Sequence, residues 1–219
     1  MACLTDDARR EFAEACHLAA SMGLMRCSSG NMSWRFADGH MAVTATRTWL
    51  ASIEPAEFAV VRIDNGEALT AVKPSVESAF HGGVLRHRPD WDVVLHFQTP
   101  CATAFACGTP MPGRHFYVIP EIPYYIGEPG WVGFAMPGSP ELADLVIEAM
   151  RTHDLVLLQN HGLVTGGKDF RDVVQKAAFF ELACELMLKD IELRLLPDAA
   201  VTELLERGRA SRAGRVTAV

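Results

Sequence analysis

The sequence predicts a single α/β domain, on three observations. Its 219 residues suffice for one full hydrophobic core. Short apolar or alternating runs interleave with segments of helical period. No internal repeat and no low-complexity linker divides the chain. Composition agrees, with 49% AVILMFWYC and 21% charged residues, which excludes extensive disorder. A net charge of −7 argues against a phosphate-tracking nucleic-acid binder. No apolar run approaches the ~18 residues of a membrane helix. Charges at Asp6, Asp7, Arg9 and Arg10 precede any apolar segment, so no secretory signal is read. The six cysteines (Cys3, Cys16, Cys27, Cys101, Cys107, Cys184) contain no Cys-x-x-Cys pair. They read as buried or inert thiols in a reducing cytoplasm.

A helix is expected over 5–22, with Thr5 as N-cap, acids in the first turn and Gly23 at its end. Phe12, Cys16, Ala19 and Ala20 share one face. A small-residue loop over 27–31 leads to an alternating strand over 32–36, and Asp38-Gly39 turns it into a second strand over 41–45. A third strand is expected over 58–63, with Asn65-Gly66 forming a hairpin into a fourth over 68–72. Pro74 and Ser75 open a helix to about Arg88. An apolar strand over 93–96 ends in a histidine, and 99–107 reads as helix. Residues 108–138 are rich in Pro and Gly, with extended pieces over 116–119 and 123–126; so long an irregular stretch is often functional. A helix over 140–153 follows Ser139 as N-cap, and a strand over 155–159 ends in Asn160-His161-Gly162. A long helix covers 169 to about 190, and the polar tail after Pro197 frays from about 208. The whole of 1–219 is read as one domain.

The candidate chemistry lies where strands end. His96 and His161 close buried strands, where α/β proteins place clefts. Each has a plainer reading as a hydrogen-bonded structural residue. Gln98 lies two residues beyond His96, on the same side of an extended segment. Two imidazoles and an amide oxygen would suit a catalytic divalent ion with an open position. Glu77, near a helix start, is either an acid–base group or a first-turn acid favoured by the helix dipole. Ser28-Ser29-Gly30-Asn31 is either a turn or an anion-binding loop, to which Thr46, Arg47 and Ser75 add donors. Trp131 and Tyr124-Tyr125 suit a pocket or a subunit contact, and His115 a site or the surface.

Taken in order, these segments form a larger pattern. Ser-Ser-Gly-Asn-Met-Ser stands at 28–33, Thr-Ala-Thr at 44–46 and Pro-Ser-Val-Glu at 74–77. Arg-Pro-Asp follows at 88–90, His-Phe-Gln at 96–98 and Gln-Asn-His-Gly-Leu-Val at 159–164. The ordered set resembles the class II aldolase/adducin family, above all the branch that cleaves L-fuculose 1-phosphate. It spans roughly residues 8–190 and is more specific than any single motif.

The resemblance implies one three-layer α/β/α domain around a mostly antiparallel sheet. It implies a cytoplasmic homotetramer with sites between adjacent subunits. The implied reaction is cleavage of a ketose 1-phosphate, L-fuculose 1-phosphate by preference, to dihydroxyacetone phosphate and an aldehyde through a metal-stabilised enediolate. The implied partner is a small sugar phosphate, with no nucleic acid and no membrane. His96 and His161 carry over as metal ligands. Zinc is the ion the resemblance implies; Gln98 falls where the family usually has a second histidine, which leaves room for manganese or another divalent ion. Glu77 matches the acid–base residue, and Gly30, Asn31, Thr46 and Ser75 match phosphate-binding positions. Tyr117 falls, by ungapped count from His96, at the tyrosine that serves the aldehyde oxygen.

Three departures stand out. Arg47 occupies a position where the family often has glycine, Val76 one where it often has a second Ser or Thr, and no tyrosine follows Tyr125. Arg47 either compensates for lost phosphate donors or faces a substrate carboxylate. The alternatives are therefore a metal-dependent decarboxylase or dehydratase of the same family. A non-catalytic adducin-like module is a third, disfavoured by the presence of Glu77, His96 and His161.

Overall fold

A computed structural model of the chain describes residues 4–189 and 191–214. Seven strands form one sheet in the order β3-β2-β1-β4-β7-β6-β5. They are β1 (Asn31–Ala37), β2 (His40–Thr44), β3 (Phe58–Arg62), β4 (Val93–Phe97), β5 (Gly130–Val132), β6 (Leu155–Leu158) and β7 (Gly162–Gly167). Every neighbouring pair is antiparallel except β5 with β6. The helices are α1 (Asp6–Ser21), α2 (Ser78–His87), α3 (Pro100–Ala106), α4 (Pro140–Ala149), α5 (Phe170–Met187) and α6 (Asp198–Arg212).

The period-2 pattern of the strands creates two cores. On β4, Val93, Leu95 and Phe97 join Phe12 of α1, Ala102 of α3 and Phe180 of α5 in one cluster. Val94 points the other way and packs with Phe80 of α2 and Val146 of α4. The result is the expected three-layer α/β/α domain. By the same alternation His96 faces the α2–α4 side. Asn31 at the start of β1 lies directly opposite His96 in the ladder, and Val164 of β7 opposite it on the other side. One end of the sheet therefore collects the end of β4 and the starts of β1 and β7.

Several expectations are corrected. Residues 68–72 form no strand: Ala68 makes a single bridge to Val61, and Val60 N–H is taken by the Thr70 hydroxyl rather than by a backbone ladder. The helix expected from Pro74 begins only at Ser78. Pro74 bridges to Ala45 and Ser75 N–H donates to Thr44 O, which pulls this segment onto the end of β2. The helix expected over 140–153 ends at Ala149. Of the pieces expected to be extended after Gly108, 116–119 instead closes a 3₁₀ turn, Gly113–Phe116, and continues as turn and bend, and 123–126 lies in a π turn, Ile122–Ile126. The tail, expected to fray from about 208, continues as α6 to Arg212. Gly208 packs α6 on the Tyr124 carbonyl, and Arg212 pairs with Asp154. Cys16 and Cys184 are buried, but Cys27 and Cys107 are exposed; Cys3 lies outside the described residues.

Candidate active site

His96 is 1% exposed. Its Nδ1 lies 2.9 Å from Leu163 O and donates to it, which leaves the Nε2 lone pair facing inward. His161 follows β6 in a tight turn where Asn160 adopts φ 55°. The two imidazole centroids are 4.8 Å apart. Glu77 is the residue just before α2. Its Oε2 lies 3.6 Å from His96 Nε2, and its Oε1 lies 3.5 Å from His161 Nε2. Both separations are too long for hydrogen bonds. One ligand atom from each residue lies within 4.8 Å of the other two.

Glu77 Oε1 and His161 Nδ1 are buried and have no hydrogen-bond partner. Orphaned polar atoms cost about 1–3 kcal/mol each, and two at one spot call for an explanation. Burial, and next the neighbouring His96, lower the His161 pKa below the ordinary imidazole value, against an opposing pull from Glu77. The neutral ring is the metal-binding form. Two imidazole nitrogens and a carboxylate oxygen thus fit a divalent cation of the zinc or manganese type.

Gln98 lies just past β4. A Cβ built on Gly162 would fall 2.7 Å from Gln98 Cγ and 3.2 Å from His96 Cε1, so both side chains border the same glycine. Gly30 has φ +80°, and a Cβ there would stand 2.8 Å from His96 O. Only glycine allows the loop to approach β4 so closely.

The anion-binding candidates are drawn to the same end. Thr46 N–H donates to Lys73 O at 3.1 Å, beside the Ala45–Pro74 bridge. Ser75 is buried, and its Oγ accepts the Glu77 N–H at 3.3 Å. Arg47 is exposed at φ 63° and makes no ion pair among the described residues. Asn31 is placed differently from the expectation of a phosphate contact. Its Nδ2 donates to Glu77 Oε2 at 2.8 Å, and its Oδ1 lies 2.5 Å from His81 Nε2. The amide is committed to the carboxylate.

Tyr117 does not join this cluster within one chain. It lines a groove with Arg88, His153 and Asp154, residues that precede β4 and β6, at the opposite end of the sheet. Burial and then Glu128 raise its pKa, with Arg209 opposing. Two residues that sequence reasoning left unassigned do belong to the site. His81 is fully buried, and its Nδ1 lies 2.7 Å from the hydroxyl of Ser33. The available signal was spacing, since His81 lies four residues after Glu77 at the mouth of a helix.

Comparison with known proteins points the same way. Residues 10–188 match the class II aldolase and adducin N-terminal domain. The 3-oxo-tetronate 4-phosphate decarboxylase of Haemophilus influenzae is 28% identical over 186 residues, covering 83% of this chain and 88% of that protein. The L-fuculose phosphate aldolase of Escherichia coli is 26% identical over 211 residues, covering 90% of this chain and 92% of that one. The crystal structure of YgbL from Escherichia coli superposes with a TM-score of 0.84 at 26% identity, covering 91% of this chain and 98% of that chain.

Proposed function

The chain belongs to the class II aldolase and adducin N-terminal domain family, whose class II aldolase members are metal-dependent lyases, and from that premise we propose that it cleaves a ketose 1-phosphate to dihydroxyacetone phosphate and an aldehyde. L-Fuculose 1-phosphate is the first substrate to test. The observation that carries the reading is the convergence of Glu77, His96 and His161, with Glu77 Oε1 buried, without a hydrogen-bond partner and 3.5 Å from His161 Nε2.

His96 and His161, with Glu77 or Gln98 beside them, would hold the cation, zinc by preference. Once bound, such an ion supplies Lewis-acid stabilisation of negative charge developing on oxygens next to the reacting carbon. Glu77 moves the carbon-bound proton. In cleavage its free Oε1 delivers a proton to the carbon left electron-rich when the C–C bond breaks, and in condensation it removes that proton. Oε2 is tied to Asn31, so the carboxylate cannot rotate away. Gly30, Thr46, Arg47 and Ser75 anchor the phosphate, and remote anchoring places the reacting carbon. The base that takes the hydroxyl proton as the aldehyde forms is not Tyr117 of the same chain; a tyrosine in that role would come from a second copy.

Arg47 supports a second reading. An exposed, unpaired guanidinium beside the phosphate segment can pair a substrate carboxylate, as decarboxylation of a 3-oxo acid phosphate requires. We place the working unit as a cytoplasmic homotetramer. Val76, Phe134 and Met136 near the site are 57%, 54% and 65% exposed, which suits cover by another subunit. Among the described residues no helix is long and apolar enough to cross a membrane.

The test is a substrate panel on cation-loaded protein, with and without chelator. Chelator-sensitive release of dihydroxyacetone phosphate from L-fuculose 1-phosphate supports the aldolase. Carbon dioxide from 3-oxo-tetronate 4-phosphate, without that release, transfers the assignment to the second reading.

A further inference from the structure

His81 is a fully buried titratable group that the proposed chemistry does not use. Three contacts run through it toward Glu77. Ser33 Oγ lies 2.7 Å from His81 Nδ1, His81 Nε2 lies 2.5 Å from Asn31 Oδ1, and Asn31 Nδ2 lies 2.8 Å from Glu77 Oε2. The directions follow from donor and acceptor capacity. A carboxylate oxygen only accepts, so the Asn31 amide must present its nitrogen to Glu77. Its oxygen then faces His81, and Nε2 must carry the ring proton. Nδ1 is left as an acceptor, which the Ser33 hydroxyl fills. The opposite amide orientation would set two acceptor oxygens against each other.

We propose that Ser33, His81 and Asn31 form a one-way hydrogen-bond relay that fixes the Glu77 carboxylate, with His81 as a positioning residue for the acid–base step. The relay joins two elements, because Ser33 and Asn31 lie on β1 and His81 on α2. It therefore ties the segment carrying Glu77 to the strand that pairs with His96. Burial, and secondarily His96, hold the His81 pKa down to about 3, so the ring stays neutral and keeps one donor and one acceptor. Two fully satisfied neighbours leave His81 no freedom to bind an ion or a substrate. Its effect on turnover is exerted through Asn31.

The proposal rests on the lyase reading for its kinetic consequence, but its hydrogen-bond direction can be tested without any substrate. Long-range ¹H–¹⁵N spectra of the zinc-loaded wild-type chain report the tautomer of each imidazole, with the His81 signal assigned by its loss in His81→Gln. The relay requires a neutral Nε2–H ring near neutral pH. A neutral Nδ1–H ring or an imidazolium overturns it, whatever the substrate proves to be. On the substrate that the panel identifies, His81→Met removes both hydrogen bonds at similar volume. It should lower kcat about ten- to a hundredfold. KM and cation content should stay near the wild-type values. His81→Gln, whose amide restores a donor toward Asn31 Oδ1, should recover most of that loss. Equal activity in the two variants, or a loss expressed in KM or in cation content alone, contradicts a positioning role. If no member of the panel is turned over, the lyase reading fails and the tautomer still decides the relay.

Discussion

Glu77→Gln separates chemistry from architecture at one atom. The glutamine oxygen can still accept from Asn31 Nδ2, now at 2.8 Å from Oε2, and its amide nitrogen would replace Oε1, which has no partner. The structural loss is the charge-assisted part of one hydrogen bond, about 1 kcal/mol. For a domain of this size that shifts Tm by about 2–4 °C. His96 and His161 are untouched, so the cation should be retained. The proton at the reacting carbon, however, has no carrier. Loss of a general acid–base group costs about 10²–10⁴-fold. That is about 3–5 kcal/mol in the barrier, several times the structural loss. Initial rates at saturating substrate, elemental analysis and a thermal scan measure the three quantities on one preparation. Turnover within about tenfold of wild type would remove Glu77 from proton transfer. Loss of the cation would make Glu77 first of all a ligand.

Other substitutions probe other parts of the account. His161→Ala should lose the bound ion in elemental analysis, whereas Gln98→His should bind zinc at least as tightly as wild type; weaker binding would place Gln98 outside the coordination sphere. Gly30→Ala should cost at least about 1–2 kcal/mol from its left-handed backbone alone. It should also weaken cation binding, because the added Cβ meets His96 O. Gly23→Ala, with φ +73° and open space around it, should destabilise in urea but keep the ion. For pH, the His81 pKa is about 3 in the folded chain against 6.5 for a free imidazole, so the unfolded chain binds the extra proton. Stability from this group is full above about pH 6.5 and falls by about 2 kcal/mol on going to pH 5. Urea unfolding of chelated protein should show that fall in wild type and less of it in His81→Gln.

Where local pattern and tertiary structure agree, the elements were legible from the sequence. Thr5 caps α1 by accepting from Ala8 N–H, Ser139 caps α4 and Asp169 caps α5. Strands β1, β2, β3, β4 and β6 show the alternating or apolar runs that a two-sided core requires. β7 was missed because Gly162, Gly166 and Gly167 give it little strand preference. It exists because Trp91 packs over Gly166, and the glycines leave room for Gln98 and Asp172. β5 is three residues long in a Pro- and Gly-rich stretch, and only its pairing with β6 defines it. In the site, His96 and His161 were visible as strand-end histidines and Glu77 as a helix-start acid. Their convergence was not, because it depends on ladder register and on the late start of α2. A polar loop looks alike whether it faces a ligand or a carboxylate, so sequence alone does not reveal that the Asn31 amide turns to Glu77. His81 lay hidden inside a helix where a histidine usually means packing.

The central claim is that His96 and His161, beside Glu77, hold one divalent cation on which turnover depends. Elemental analysis of metal-replete wild type and of His96→Ala/His161→Ala, with sugar-phosphate cleavage measured on the same samples, tests it most directly. The account predicts about one ion per wild-type chain, a chelator-sensitive activity, and loss of both in the double variant. An ion retained by the double variant, or cleavage that persists in it without the ion, would contradict the claim.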